Sequence, residues 1–154
     1  MNNSFGSAPD PNSIQGDERM LALFSHLSLF LGGILLPIIF WATNKDKSKF
    51  VTFHALQALW FHIAYVALLI VFIFAFVFIM LIGGLGLGAL SGATGGGEMP
   101  VFMIILMIAF YAILFGILFG AIGYSIYMGI KSYKGELVKY PVIGKMVYKK
   151  VYGN

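Results

Sequence analysis

Three long runs without Asp, Glu, Lys or Arg dominate the chain: Met20 to Thr43, Phe50 to Leu90 and Met99 to Ile130. Polar and charged positions collect between and outside them. The first run holds 24 residues, and at about 1.5 Å per residue a helix of that length reaches roughly 36 Å, enough for a hydrocarbon layer of about 30 Å. Gly32, Gly33 and Pro37 lie in its second half, where Pro37 lacks an amide hydrogen, so the pattern predicts a kinked span, with a re-entrant hairpin as the alternative. In the second run, Phe50 to His62 carries His54, Gln57, Trp60 and His62 and suits an interfacial entry, leaving about Ile63 to Leu85 as the span core. Ile, Val and Phe abound there, yet an unpaired strand in lipid would leave its backbone unsatisfied, so a helix is still predicted. The glycine-rich stretch Gly83 to Gly97 reads as a flexible hairpin loop. Pro100 sits where the first turn of the third span tolerates a missing donor. Tyr124, Tyr127, Lys131, Tyr133 and Lys134 close that span as an aromatic and cationic anchor.

The fold expected is therefore all-α, an integral membrane protein with three transmembrane helices at about 20–43, 53–85 and 100–130. They form a membrane domain over 18–141, with a flexible tail at 1–17 and a basic, Tyr-rich tail at 142–154. Composition agrees. Of 154 residues 60% are hydrophobic and 10% charged, against about a quarter charged in an ordinary globular domain. So few charges cannot cover a soluble surface, and the tails and loops leave no room for a catalytic domain. The absence of cysteine excludes disulfides, thiolate metal sites and cysteine nucleophiles. A net charge of +4 raises nucleic acid as a partner, but the cations sit beside apolar spans with no recognisable nucleic-acid module, so they read as topology signals. The start Met-Asn-Asn-Ser and the long first run favour a retained anchor over a cleaved signal peptide.

Lys and Arg number one before the first run (Arg19), three after it (Lys45, Lys47, Lys49), none between the second and third, and six after the third. With three crossings this predicts the N-terminus outside and the C-terminus in the cytoplasm of a bacterial inner membrane. A hairpin in place of the first span would put both ends inside.

Four polar side chains stand out in the apolar runs. Ser25, His26, His54 and Gln57 could line a polar cleft, His54 and Gln57 sharing a helix face. His54 and His62 are eight residues apart, about 12 Å on a helix and too far to share an ion, and three crossings would put His26 toward the opposite face from His54. No metal site or cofactor is expected. Ala109, Ala112, Gly116, Gly120 and Gly123 recur at spacings of three and four, a groove for close approach of another helix. Lys131, Lys134, Lys139, Lys145, Lys149 and Lys150, interleaved with tyrosines, would lie along an anionic lipid surface. The Gly84 to Gly88 stretch lacks the strand and lysine of a nucleotide loop, Ser25 and Ser91 lack a nucleophile elbow, and no carboxylate pair exists, so enzymatic activity is not expected.

Several strings carry a resemblance: Glu18-Arg19, Ser25-His26-Leu27-Ser28, Gly32 with Pro37, Lys45-Asp46-Lys47-Ser48, Phe53-His54-Ala55-Leu56-Gln57-Ala58-Leu59, and Gly135-Glu136 with Tyr140-Pro141. From about Glu18 to Pro141 the chain resembles a bacterial family of small membrane proteins that includes the magnetosome proteins MamF and MmsF. More distantly it resembles the twenty-kilodalton component of the chloroplast inner-envelope import translocon. The resemblance implies a three-span fold and singles out Ser25, His26, His54 and Gln57. The expectation is a non-enzymatic scaffold or assembly factor acting through helix packing in a homo-oligomer or with other membrane proteins. The alternative is a subunit of a transport pore with a His54 and Gln57 path.

Overall fold

The structure, a computed structural model, describes residues 9–31, 33–94 and 101–153, with the backbone alone over 87–94. Among them there is no strand. A short 3-10 turn (Pro11–Ser13) precedes α1 (Gly16–Leu31), α2 (Leu35–Asn44), α3 (Lys49–Thr94), α4 (Val101–Tyr133) and α5 (Ile143–Tyr152). The chain divides into two compact units, residues 1–65 with 121–154, and residues 66–120.

The first unit is built on a helical hairpin, and its register follows from four contacts. Ala22 shares a buried cluster with Phe50, His26 meets His54, the Gly33 carbonyl meets His62, and the Thr52 hydroxyl donates to the Asn44 carbonyl. Helix α1 thus runs parallel to the start of α3, the chain reverses, and α2 returns antiparallel to it. The reversal needs Gly33, whose φ of 54° is left-handed and whose amide donates to the Ser28 carbonyl at 2.6 Å, satisfying one of the carbonyls that the end of α1 leaves open.

The single kinked helix expected over 20–43 is therefore corrected to two helices. Pro37 is not the break: it is the third residue of α2, in the first turn, where its missing N–H is harmless. The hairpin follows α3 only from Phe50 to His62, about 18 Å at the helical rise and short of a 30 Å hydrocarbon layer. Among the described residues two helices are long and apolar enough to cross a membrane, over Lys49–Gly86 and Val101–Tyr133.

The tails differ from expectation too. Residues 1–8 of the N-terminal tail lie outside the described residues. From Asp10 the chain is held: Asp10 caps the 3-10 turn, Ile14 is buried, and the Arg19 guanidinium donates to the Pro11 and Ile14 carbonyls at 2.7 and 3.2 Å. At the C-terminus, α5 turns Val147 and Tyr152 onto Phe53 and Leu56 of α3 and leaves Lys145, Lys149 and Lys150 exposed.

In the second unit α3 and α4 run antiparallel. The Phe110 ring stacks between Phe72 and Phe76, with centroids at 4.9 and 3.7 Å, and Met103 lies against Gly83. Outward-facing positions are apolar, among them Leu68, Val71, Phe74, Phe78 and Ile105, an arrangement that suits lipid and not water. The flexible loop expected from Gly83 is corrected as well. Residues 83–94 are helical, because in an apolar medium each amide has only the preceding turn's carbonyl to bond, glycine or not. Gly95, Gly96 and Gly97 lie outside the described residues.

Candidate functional site

Burial along α3 changes character at one place. From Phe50 to Leu56 every side chain is buried, and so are Gln57, Ala58 and His62, whereas beyond His62 the helix is largely exposed. The buried stretch carries the polar residues, so each needs a partner inside the protein.

They find one another. His26 Nε2 and His54 Nδ1 share a hydrogen bond of 3.1 Å, and His26 Nδ1 shares another of 3.1 Å with the Tyr140 hydroxyl. One proton serves each bond, so the three groups form a continuous hydrogen-bonded chain whose direction follows the histidine tautomers. Gln57 uses both ends of its amide: Nε2 donates to the Val138 carbonyl at 3.0 Å and Oε1 accepts from the Tyr140 amide at 2.9 Å. The Tyr140 ring stacks on Phe61 at 4.4 Å and meets Tyr124 edge-on at 5.2 Å. Burial raises the Tyr140 hydroxyl above the ordinary tyrosine range. The segment between α4 and α5 is thereby fastened to α1, α3 and α4 at one residue.

His26, which three crossings would have placed toward the opposite membrane face from His54, is in hydrogen-bond contact with it. The correction follows from the hairpin, which lays α1 parallel to α3 in matching register. Ser25 is fully buried beside this cluster, but its hydroxyl donates to the Leu21 carbonyl at 2.8 Å, a local helix bond. So His26, His54 and Gln57 come together and Ser25 is a silent neighbour.

The sequence pattern marks Tyr140 and His62 but does not place them among the cleft residues, and it leaves Gly144 unmarked. His62 Nδ1 donates to the Gly33 carbonyl at 3.2 Å and so ties the hairpin tip to α3, which leaves Nε2 as a buried acceptor without a partner. His54 Nε2 is likewise buried and unpartnered. A Cβ at Gly144 would stand 2.5 Å from the Lys139 Cβ and 2.7 Å from Gln57 Oε1, so only glycine lets α5 start against Gln57. The Tyr-Pro pair at 140–141 was the available signal, an aromatic held extended by the following proline.

The small residues on α4 sit elsewhere. Ala109, Ala112, Gly116, Gly120 and Gly123 are exposed, and a Cβ at any of the three glycines would meet nothing within 4 Å. The face of α4 that packs in the first unit is instead Ala121, Ser125, Met128, Gly129 and Ser132, with Gly129 pressed against Leu23. Of the six lysines, Lys131 pairs with Glu136 at 2.9 Å and Lys139 lies over the Tyr148 ring at 3.5 Å. Lys134, Lys145, Lys149 and Lys150 are exposed. Among the described residues no three His, Asp or Glu side chains converge as metal ligands.

Residues 17–147 match the MamF_MmsF family model, described as a magnetosome magnetite crystal formation protein family. No curated protein and no solved structure matches the chain significantly.

Proposed function

Because the chain belongs to that magnetosome magnetite crystal formation family, we propose that it is a non-enzymatic membrane scaffold or assembly factor that organises other copies or other proteins by helix packing. The observation that carries this is how its polar groups are used. His26, His54, Gln57 and Tyr140 bond to one another or to nearby backbone inside the chain, while a Cβ at Gly116, Gly120 or Gly123 of α4 would meet nothing within 4 Å among the described residues. Polar groups engaged inside the chain, with His54 Nε2 the exception, favour a structural knot over the His54 and Gln57 path of a transport pore. Open glycine positions at 116, 120 and 123 favour a helix partner, since backbones approach most closely there.

The family description supplies the setting, a membrane at which magnetite crystals form. Between the two crossing helices the sequence carries Glu98 and no other acid, which favours organising partners over templating mineral. In the topology we propose, α3 and α4 cross, the hairpin of α1 and α2 stays at one surface, and both termini lie in the cytoplasm. All ten Lys and Arg residues fall in 1–65 and 121–154, and none in 66–120, as the positive-inside rule asks.

The chain has no native cysteine, so Gly116→Cys and Gly120→Cys provide unique labels for disulfide crosslinking in native membranes. A defined higher-mass species from both, absent for Phe74→Cys on the exposed side of α3, is the expected result. Monomer throughout, together with a solute flux in liposomes that His54→Ala abolishes, would replace the scaffold by the pore.

A further inference from the structure

Where α3 passes from buried to exposed, a groove of about 190 Å³ opens against α5, lined by Trp60, Met146, Val147 and Lys150. We infer that this groove is a binding site for one anionic phospholipid, its acyl chain on Trp60, Met146 and Val147 and its phosphate on the Lys150 ammonium. The inference rests on the proposed placement of this end of the molecule at the cytoplasmic lipid surface.

The argument is one of matched chemistry. Val147 is buried and forms an apolar floor, while Met146 and Trp60 are 62% and 47% exposed, an apolar cost in water that an acyl chain removes. Lys150 lies one helical turn beyond Met146, on the same side of α5. Among the described residues it makes no hydrogen bond or ion pair, so its charge is uncommitted toward them. Trp60 stands three residues before Ile63, where the outward apolar run of α3 begins, the depth at which indole rings favour the headgroup boundary. Its ring nitrogen has no acceptor among the described residues and can donate to a glycerol or phosphate oxygen. A free phosphate would leave the apolar floor unused, and a zwitterionic lipid would place its own cation beside Lys150. An anionic phospholipid uses all four side chains.

Trp60 also reports on the site. In full-length protein carrying Trp41→Phe, Trp60 is the remaining tryptophan, and its fluorescence is read in vesicles containing brominated phosphatidylglycerol or brominated phosphatidylcholine at equal mole fraction. The expected result is an about five-fold preference for quenching by phosphatidylglycerol, the effect of one lysine at an anionic surface. Lys150→Gln should abolish that preference, and Lys145→Gln, on α5 but outside the groove, should retain it. Equal quenching by both lipids, or equal loss in the two lysine variants, would overturn the site and leave the membrane placement standing. Quenching by neither lipid would overturn the placement and the site with it.

Discussion

Gly144 and Tyr140 hold the polar knot from two sides, and each makes a sharp test. Gly144→Ala would drive a methyl into Lys139 and Gln57 Oε1, so it should destabilise the fold by about 1–3 kcal/mol, as overpacking does. Alanine is otherwise the better helix former, so equal or greater stability in detergent unfolding would contradict the geometry. Tyr140→Phe keeps the ring stack on Phe61 but strips His26 of a partner, a loss of about 1–3 kcal/mol. It should also change the alkaline limb of stability. Burial raises the Tyr140 hydroxyl above its ordinary value of 10.0, so the neutral form is favoured in the folded state. That contribution is complete below about pH 10 and is lost as pH rises through the elevated folded value. Thermal melts from pH 8 to 12 should fall less steeply for Tyr140→Phe than for the parent, with Tyr152, raised in the same way, among the groups that account for the remaining slope. An unchanged limb would remove Tyr140 from the account. His54 and Gln57 were legible as polar residues in an apolar helix. Their partners were not, because Tyr140 lies more than eighty positions away and its role depends on a backbone segment that carries no periodic signal.

The hairpin of α1 and α2 turns on the left-handed Gly33. Gly33→Val should cost roughly 1–2 kcal/mol, because a side chain there clashes with the following carbonyl. The loss should appear locally, as faster amide exchange over 26–44 with exchange over 101–120 unchanged. Uniform acceleration would mean that the hairpin is not a separable element. The second and third apolar runs were readable as long helices from length and charge exclusion alone, and α4 departs from expectation by only a few residues at its end. The first run is free of the same four charged residue types and, at 24 residues, is still long enough for one crossing. Composition cannot distinguish a helix that crosses from two that double back, since both satisfy their backbones in apolar surroundings.

That difference sets the topology of the whole molecule. With two crossings, reporters fused at the N- and C-termini should both register the cytoplasm, and a reporter inserted after Gly96 should register the other side. Opposite readings at the two ends would restore three crossings. Both topologies place the C-terminal lysines inside, so the N-terminal reporter decides between them. The ten cations already fit either count, with Arg19 alone before the first run.

Composition by itself determined the solvent. With 60% hydrophobic residues and 10% charged, most of this chain has nowhere to go but lipid, and in lipid its backbone must be helical. Only the tertiary structure decided that the first apolar run folds back beside α3. It alone showed that two histidines 28 positions apart share a hydrogen bond, and that Gly116, Gly120 and Gly123 of α4 stay open among the described residues. The reason is physical. Burial in lipid depends on residue type summed over a window, which any stretch of sequence displays. Register between helices depends on single contacts, a left-handed glycine here and an amide pairing there, whose partners lie far apart in the chain.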